Sequence, residues 1–159
     1  MEERAKKIIK KNLYMTLSTS SLDGKPHSTP LFYANDEKFN FYWYSKKETK
    51  HSLLIKDNNK VSISIFGVGD KDEGFGVYLE GIASEIPENE LSNALEIYFN
   101  KALKDNQTER EEMISNANDF LNESPLRMYK FIPEKIYVSG EATKWNGKWL
   151  DFKSEIELL

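Results

Sequence analysis

Residues 39–66 read FNFYWYSKKETKHSLLIKDNNKVSISIF, and the fold turns on how that run divides. Its two ends alternate with a period of two. Phe39 to Tyr44 is aromatic at all but one position, and Lys60 to Phe66 sets Val61, Ile63 and Ile65 against Ser62 and Ser64. Both ends therefore read as strands. Between them Leu53, Leu54 and Ile55 anchor one or two helical turns, which Asp57-Asn58-Asn59 ends.

The joint between the first strand and the helix is basic. Lys46, Lys47, Lys50 and His51 gather beside the hydroxyls of Ser45 and Thr49. Ser45 and Glu48 have capping-box spacing, with Thr49 as the alternative cap. Either start leaves backbone N–H groups pointing out of a helix, where unpaired donors and the dipole together attract anions. Ammonium groups add point charge and hydroxyls add neutral donors, a combination suited to a phosphate monoester dianion. The competing reading is a solvated, lysine-rich helix start, the commoner fate of such runs.

Outward from this segment, Glu2 to Leu13 places Ala5, Ile8, Ile9 and Leu13 on one helical stripe opposite lysines. Tyr14 to Ser20 and Pro26 to Ala34 read as strands joined by an Asp23-Gly24 turn, and Asn35 to Lys38 turns the chain into the aromatic strand. Pro30 cannot donate to a sheet ladder, so its strand has an edge or a bulge there. On the other side, Gly67 to Gly76 is a glycine- and acid-rich loop, and Phe75 to Ile86 is a long strand bent at Gly81. Helices are expected over 88–104 and 109–121, and strands over 127–132 and 135–138 on either side of Pro133. A tail over 139–159 carries Trp145, Trp149 and Phe152.

About six strands, mostly sequential, with attached helices predict a mainly β, α+β domain built on a small antiparallel barrel. One domain spans 1–159: an N-terminal helix over 2–13, barrel over 14–86 and 127–138, a helical insert over 88–121, then the tail.

Composition narrows the function. The chain has 159 residues, a net charge of −4 and no cysteine. Cysteine thiolates, disulfides and cysteine metal sites are excluded, and a reducing cytosol is expected. No apolar run approaches the roughly 20 residues needed to cross a bilayer, and the N-terminus lacks the apolar core of a signal peptide. Acidic net charge argues against nucleic-acid binding. His27 and His51 are the only histidines and lack metal-ligand spacing, so no metal site is expected. The glycines of FGVGDKDEGFG match neither a Walker loop nor a dinucleotide fingerprint.

The ordered set PHSTPLFYA, FNFYWYS, KETKHSLL, NNKVSISIF, GVYLEGIASEI and KFIPEKIYV resembles the pyridoxamine 5′-phosphate oxidase-like family of FMN-binding split β-barrels, its short members above all. The resemblance implies a homodimer holding FMN at the subunit interface. It implies that Lys50, with Thr49 and Ser45, contacts the FMN phosphate, and that Ser28, Thr29, Pro30 and Leu31 face the flavin ring. From the residues themselves, Tyr44 joins the cofactor set as a ring that could stack, and His51 as a contact to the phosphate or to a group that holds it, with an ordinary exposed histidine as its alternative. The resemblance further implies that Trp145 or Trp149 would approach the partner's flavin. The chain departs from the true oxidase in having His27 where that enzyme has a basic strand residue. It also has KWNGKWLDFKSEIELL in place of an arginine-containing terminal segment. Oxidation of pyridoxamine phosphate is therefore not expected. The implied function is an FMN-dependent oxidoreductase acting on an unidentified small substrate. No catalytic side chain is assigned, since flavin carries hydride chemistry itself. The alternatives are a deazaflavin or haem protein of the same fold, or a cofactor-free barrel presenting Tyr42, Trp43 and lysines to single-stranded nucleic acid.

Overall fold

The computed structural model describes residues 1–67, 74–104, 116–140 and 142–157. Helix α1 (Glu2–Lys11) leads into β1 (Tyr14–Ser20), β2 (Pro26–Phe32), β3 (Ala34–Asn35) and β4 (Phe41–Lys46). Helix α2 (Lys50–Asp57), β5 (Lys60–Phe66), β6 (Gly76–Glu85) and α3 (Glu88–Lys104) follow. A short 3-10 turn at Ala117–Phe120 precedes β7 (Leu126–Ser139), β8 (Thr143–Trp145), β9 (Lys148–Leu150) and β10 (Lys153–Ile156). Most of the expected helix over 109–121 and residues 68–73 of the acidic loop lie outside the described residues.

The main sheet is antiparallel, in the order β2-β1-β5-β6-β7-β4-β3, with β10 added to β7. Its two end strands are one stretch of chain, since only Tyr33 separates β2 from β3. The arm over 26–35 thus pairs with β1 at its start and β4 at its end, closing the sheet into a split barrel. Tyr33 is the pivot. Its N–H donates to Leu13 O and its hydroxyl to Ile9 O, 2.6 Å away, so the turn of the arm is bolted to α1.

Inward residues of the strands, Met15, Leu17, Phe41, Trp43, Ile63, Ile65, Val77, Leu79 and Phe131 among them, fill the barrel, and α1 closes it with Ala5, Ile8 and Ile9. A second cluster lies outside. Tyr42 and Tyr44 point away from the barrel into Leu91, Leu95 and Tyr98 of α3, with Phe120 beside them. β4 is therefore buried on both faces over Phe41–Tyr44, which is why that stretch is aromatic at every position.

Several elements differ from the sequence expectation. β4 starts at Phe41 because the preceding turn is held by Asp36, whose carboxylate accepts from the N–H groups of Lys38 and Asn40 and from the Tyr42 hydroxyl. Phe39 within that turn has φ 58°, outside strand geometry. β4 then runs to Lys46, pairing Ser45 with Arg127 and Lys46 with Leu126. Ser45 belongs to the strand and forms no capping box; Thr49 is the N-cap of α2. Pro133 does not divide two strands. β7 passes through it because β4 pairs only up to Phe131 and β10 only from Ile136, while the β6 side shifts register at Glu80/Gly81. No ladder hydrogen bond is needed at Pro133. The tail is also structured: Asn146 and Gly147, at φ 47° and 77°, turn β8 back on β9. Pro30 sits where expected, on an edge: β2 pairs with β1 alone, in unbroken register. Among the described residues no helix is long and apolar enough to cross a membrane.

Candidate functional site

Helix α2 packs against β1, β2 and β6 and buries His51, Ser52 and Ile55. Ile55 joins the barrel core, whereas Leu53 is exposed. The aliphatic anchor is thus narrower than the expected Leu53-Leu54-Ile55 run, and the rest of the buried face is polar. Its polar atoms form a connected set. His51 Nε2 is 2.8 Å from Ser45 Oγ and 3.1 Å from Thr49 Oγ1. Thr49 Oγ1 is 2.8 Å from Ser52 Oγ and donates to Lys46 O at 3.0 Å. Ser52 in turn lies against the hydroxyl of Tyr129. Burial, and secondarily the nearby His27, hold His51 below the usual histidine range, so it stays neutral near pH 7.

Across from α2, the inward face of β2 carries His27, Thr29 and Leu31 while Ser28 and Pro30 are exposed on the other face. His27 Nε2 is 2.9 Å from Thr29 Oγ1. Beneath them Thr19 of β1 is buried and donates to His27 O. The residues named from sequence therefore separate into groups. Ser45, Thr49 and His51 meet in one hydrogen-bonded cluster, and Thr29 lies with His27, whose charge His51 feels. Leu31 packs onto the barrel core. Ser28 and Pro30 face away from that core, and the ring of Tyr44 packs under α3, on the reverse side of the strand from Ser45.

Lys50 opens α2 with its side chain exposed, and its ammonium has no ion-pair partner among the described residues. Thr49 makes no side-chain cap to the helix: its hydroxyl turns toward Lys46 O, His51 and Ser52 instead. The leading N–H groups of α2 are thus left without a side-chain acceptor, beside a free lysine and the hydroxyl cluster. That arrangement is chemically apt for an anion.

Sequence reasoning passed over Ser52 and the other flank of α2. There a cleft of about 630 Å³ is lined by Lys47, Lys56, Ser84, Arg127 and Tyr129 among others. The Arg127 guanidinium is already engaged, pairing with Glu85 at 3.0 Å and donating to the carbonyls of Asn122, Ser124 and Leu126. Arg127 reaches α2 through strand pairing alone, so no local pattern announces it. Ser52 was legible in principle, one residue beyond His51 on the inward side of the helix.

Residues 1–129 match the family model described as pyridoxamine 5′-phosphate oxidase. No curated protein matches the chain. Among solved structures it is similar to a candidate 5-nitroimidazole antibiotic resistance protein from Bacteroides thetaiotaomicron, at 17% identity and TM-score 0.66, covering 87% of this chain and 82% of that one. An FAD-binding protein from Mesorhizobium loti is similar at 18% identity and TM-score 0.65, with 87% and 91% covered. A haem binding protein from Mycobacterium smegmatis is similar at 15% identity and TM-score 0.67. The alignment covers 95% of this chain but 57% of that protein. Identities this low carry the architecture alone, whereas the family match extends from α1 through the site into the start of β7. On that match, the chain belongs to the pyridoxamine 5′-phosphate oxidase family.

Proposed function

We propose that the protein is a homodimeric FMN-dependent oxidoreductase acting on a small molecule in the cytosol. The observation that carries this reading is the start of α2: N–H groups without a side-chain cap, an unpaired Lys50, and the hydroxyls of Thr49 and Ser45, in a member of this family. The phosphate would lie there and the flavin ring along the free edge of β2, from Ser28 to Leu31. When bound, flavin supplies the hydride or electron transfer, and the chain binds it, orients it and excludes water.

The structure weighs against haem and against the nucleic-acid-binding barrel. Nε2 of each histidine is already hydrogen-bonded to a hydroxyl, which disfavours haem ligation through that atom. Trp43 is fully buried and Tyr42 almost so, leaving no aromatic platform on β4 for nucleotide bases. Dimerisation is supported by the outward face of β2, β1 and β5. In a chain with 30% charged residues, that face presents Ser28 and Pro30, Thr16 and Ser18, Ser62 and Ser64 side by side, with no charge among them.

The test is the absorption and fluorescence spectrum of the purified protein with FMN. Wild type is expected to bind FMN at micromolar concentration or below. Lys50→Ala is expected to weaken binding by about 10- to 100-fold, the worth of one charge-assisted hydrogen bond. A wild-type protein that takes up no FMN overturns the proposal.

A further inference from the structure

The two histidines lie far apart in sequence, and the fold brings them to facing elements of one site. Each ring nitrogen Nε2 meets a hydroxyl: His27 that of Thr29, His51 those of Ser45 and Thr49. His51 is 6% exposed, and its helix α2 packs against β2, the strand that carries His27, whose charge opposes charge on His51.

We propose that His27 and His51 couple capture of the phosphate group to proton uptake, the dianion binding together with a proton that the imidazole pair takes from solvent. This rests on the flavin-phosphate reading given above. In the free protein, burial and then the nearby His27 favour the neutral form of His51. A dianion at the start of α2 reverses the balance, because an opposite charge a few ångströms away favours the protonated ring. A neutral imidazole donates through one nitrogen and an imidazolium through both, so protonation adds a donor while leaving the ring in place. No covalent bond changes.

The surroundings leave the pair as the responsive element. Lys50 and Lys46 are exposed. Arg127, opposite Ser45 on β7, is paired with Glu85 of β6. Burial raises the Tyr129 phenol further from neutrality, and β1 contributes only the uncharged Thr19. Lysine or arginine in place of the histidines would hold a phosphate without regard to pH; two imidazoles would not.

The test is calorimetric titration of FMN into the flavin-free full chain at pH 7, in a series of phosphate-free buffers of different ionisation enthalpy. The dependence of the observed heat on buffer reads the protons exchanged. The expected result is net uptake of about half to one proton per FMN, with affinity rising about three- to tenfold from pH 7.5 to pH 6.5. Below about pH 6 the phosphate itself protonates and the gain levels off. The double variant His27→Gln, His51→Gln is expected to bind FMN with no net uptake. FMN binding by wild type without proton uptake overturns the inference and leaves the flavin reading standing. So does uptake that persists in a folded double variant. If the double variant does not fold, the wild-type buffer series decides alone. FMN binding absent at every pH overturns both.

Discussion

His51 ties the stability of the chain to the chemistry proposed for its site. An imidazole buried at the first turn of a helix costs desolvation whenever it is charged, and its native environment supplies hydroxyls rather than a carboxylate. Its native pKa lies below the ordinary value of 6.5, so the unfolded chain binds the proton more readily. Stability linked to His51 is therefore complete above pH 6.5 and is lost as pH falls toward the lower native value. Urea denaturation between pH 7.5 and 5 is expected to show that decline, and His51→Gln a shallower one. A wild type as stable at pH 5.5 as at 7.5 would contradict this account. The sequence left His51 open between a contact to the phosphate or its supporting groups and an ordinary exposed histidine; the structure buries it, with its ring nitrogen turned inward, onto Ser45.

At the level of elements, the crossing of β6 and β7 makes opposite demands on two residues in register. Gly81 is opposite Pro133, at the register shift. A Cβ built on Gly81 would lie 2.1 Å from Ile132 O, a backbone atom that cannot swing aside. Pro133 occupies a gap between two strand partners and gives up no hydrogen bond by being proline. Gly81→Ala is expected to cost at least about 2 kcal/mol in urea denaturation, from overpacking. Pro133→Ala is expected to cost no more than about 1 kcal/mol, chiefly through the unfolded chain. Equal losses would refute the assignment. Elements with strong periodicity were legible: β5, the helix over 88–104, and the Gly81 bend all lie where the pattern put them. Those decided by distant pairing were not. Ser45 joined β4 because β7 runs beside it, and Pro133 was crossed because its neighbours end there. The hairpin of β8 and β9 is a different case, since Asn146-Gly147 is a strong local turn signal that the tail reading overlooked.

For the whole molecule, the small-residue centre of the face of β2, β1 and β5, bordered by Lys60 of β5, is the feature that supports the proposed second protomer. β2 is an edge strand, but Pro26 and Pro30 interrupt its donors, so pairing edge to edge is blocked and contact through the face is left open. Placing arginine at Ser18 and Ser62, which are cross-strand neighbours, sets like charges in the middle of that face. Wild type is expected to sediment as the dimer proposed above, and the double variant Ser18→Arg, Ser62→Arg as a folded monomer with weakened FMN affinity. An intact dimer would place the interface elsewhere. The barrel class could be read from the order of strands because antiparallel neighbours are mostly sequential. Closure through the single arm over 26–35 could not, since it depends on one residue, Tyr33, bending between two partners.

Tyr44 and Ser45 are consecutive on β4 and point to opposite faces, so whatever grips the ring behind the strand also fixes the hydroxyl in front of it. The grip comes from Tyr98 and Phe120, outside the barrel. Helix α3 and the 3-10 turn at Ala117–Phe120 thus work as a backstop: their packing on Tyr44 sets how far the Ser45 hydroxyl stands toward His51. Repacking behind the strand is expected to retune the proposed anion end of the site without altering any group proposed to contact the ligand.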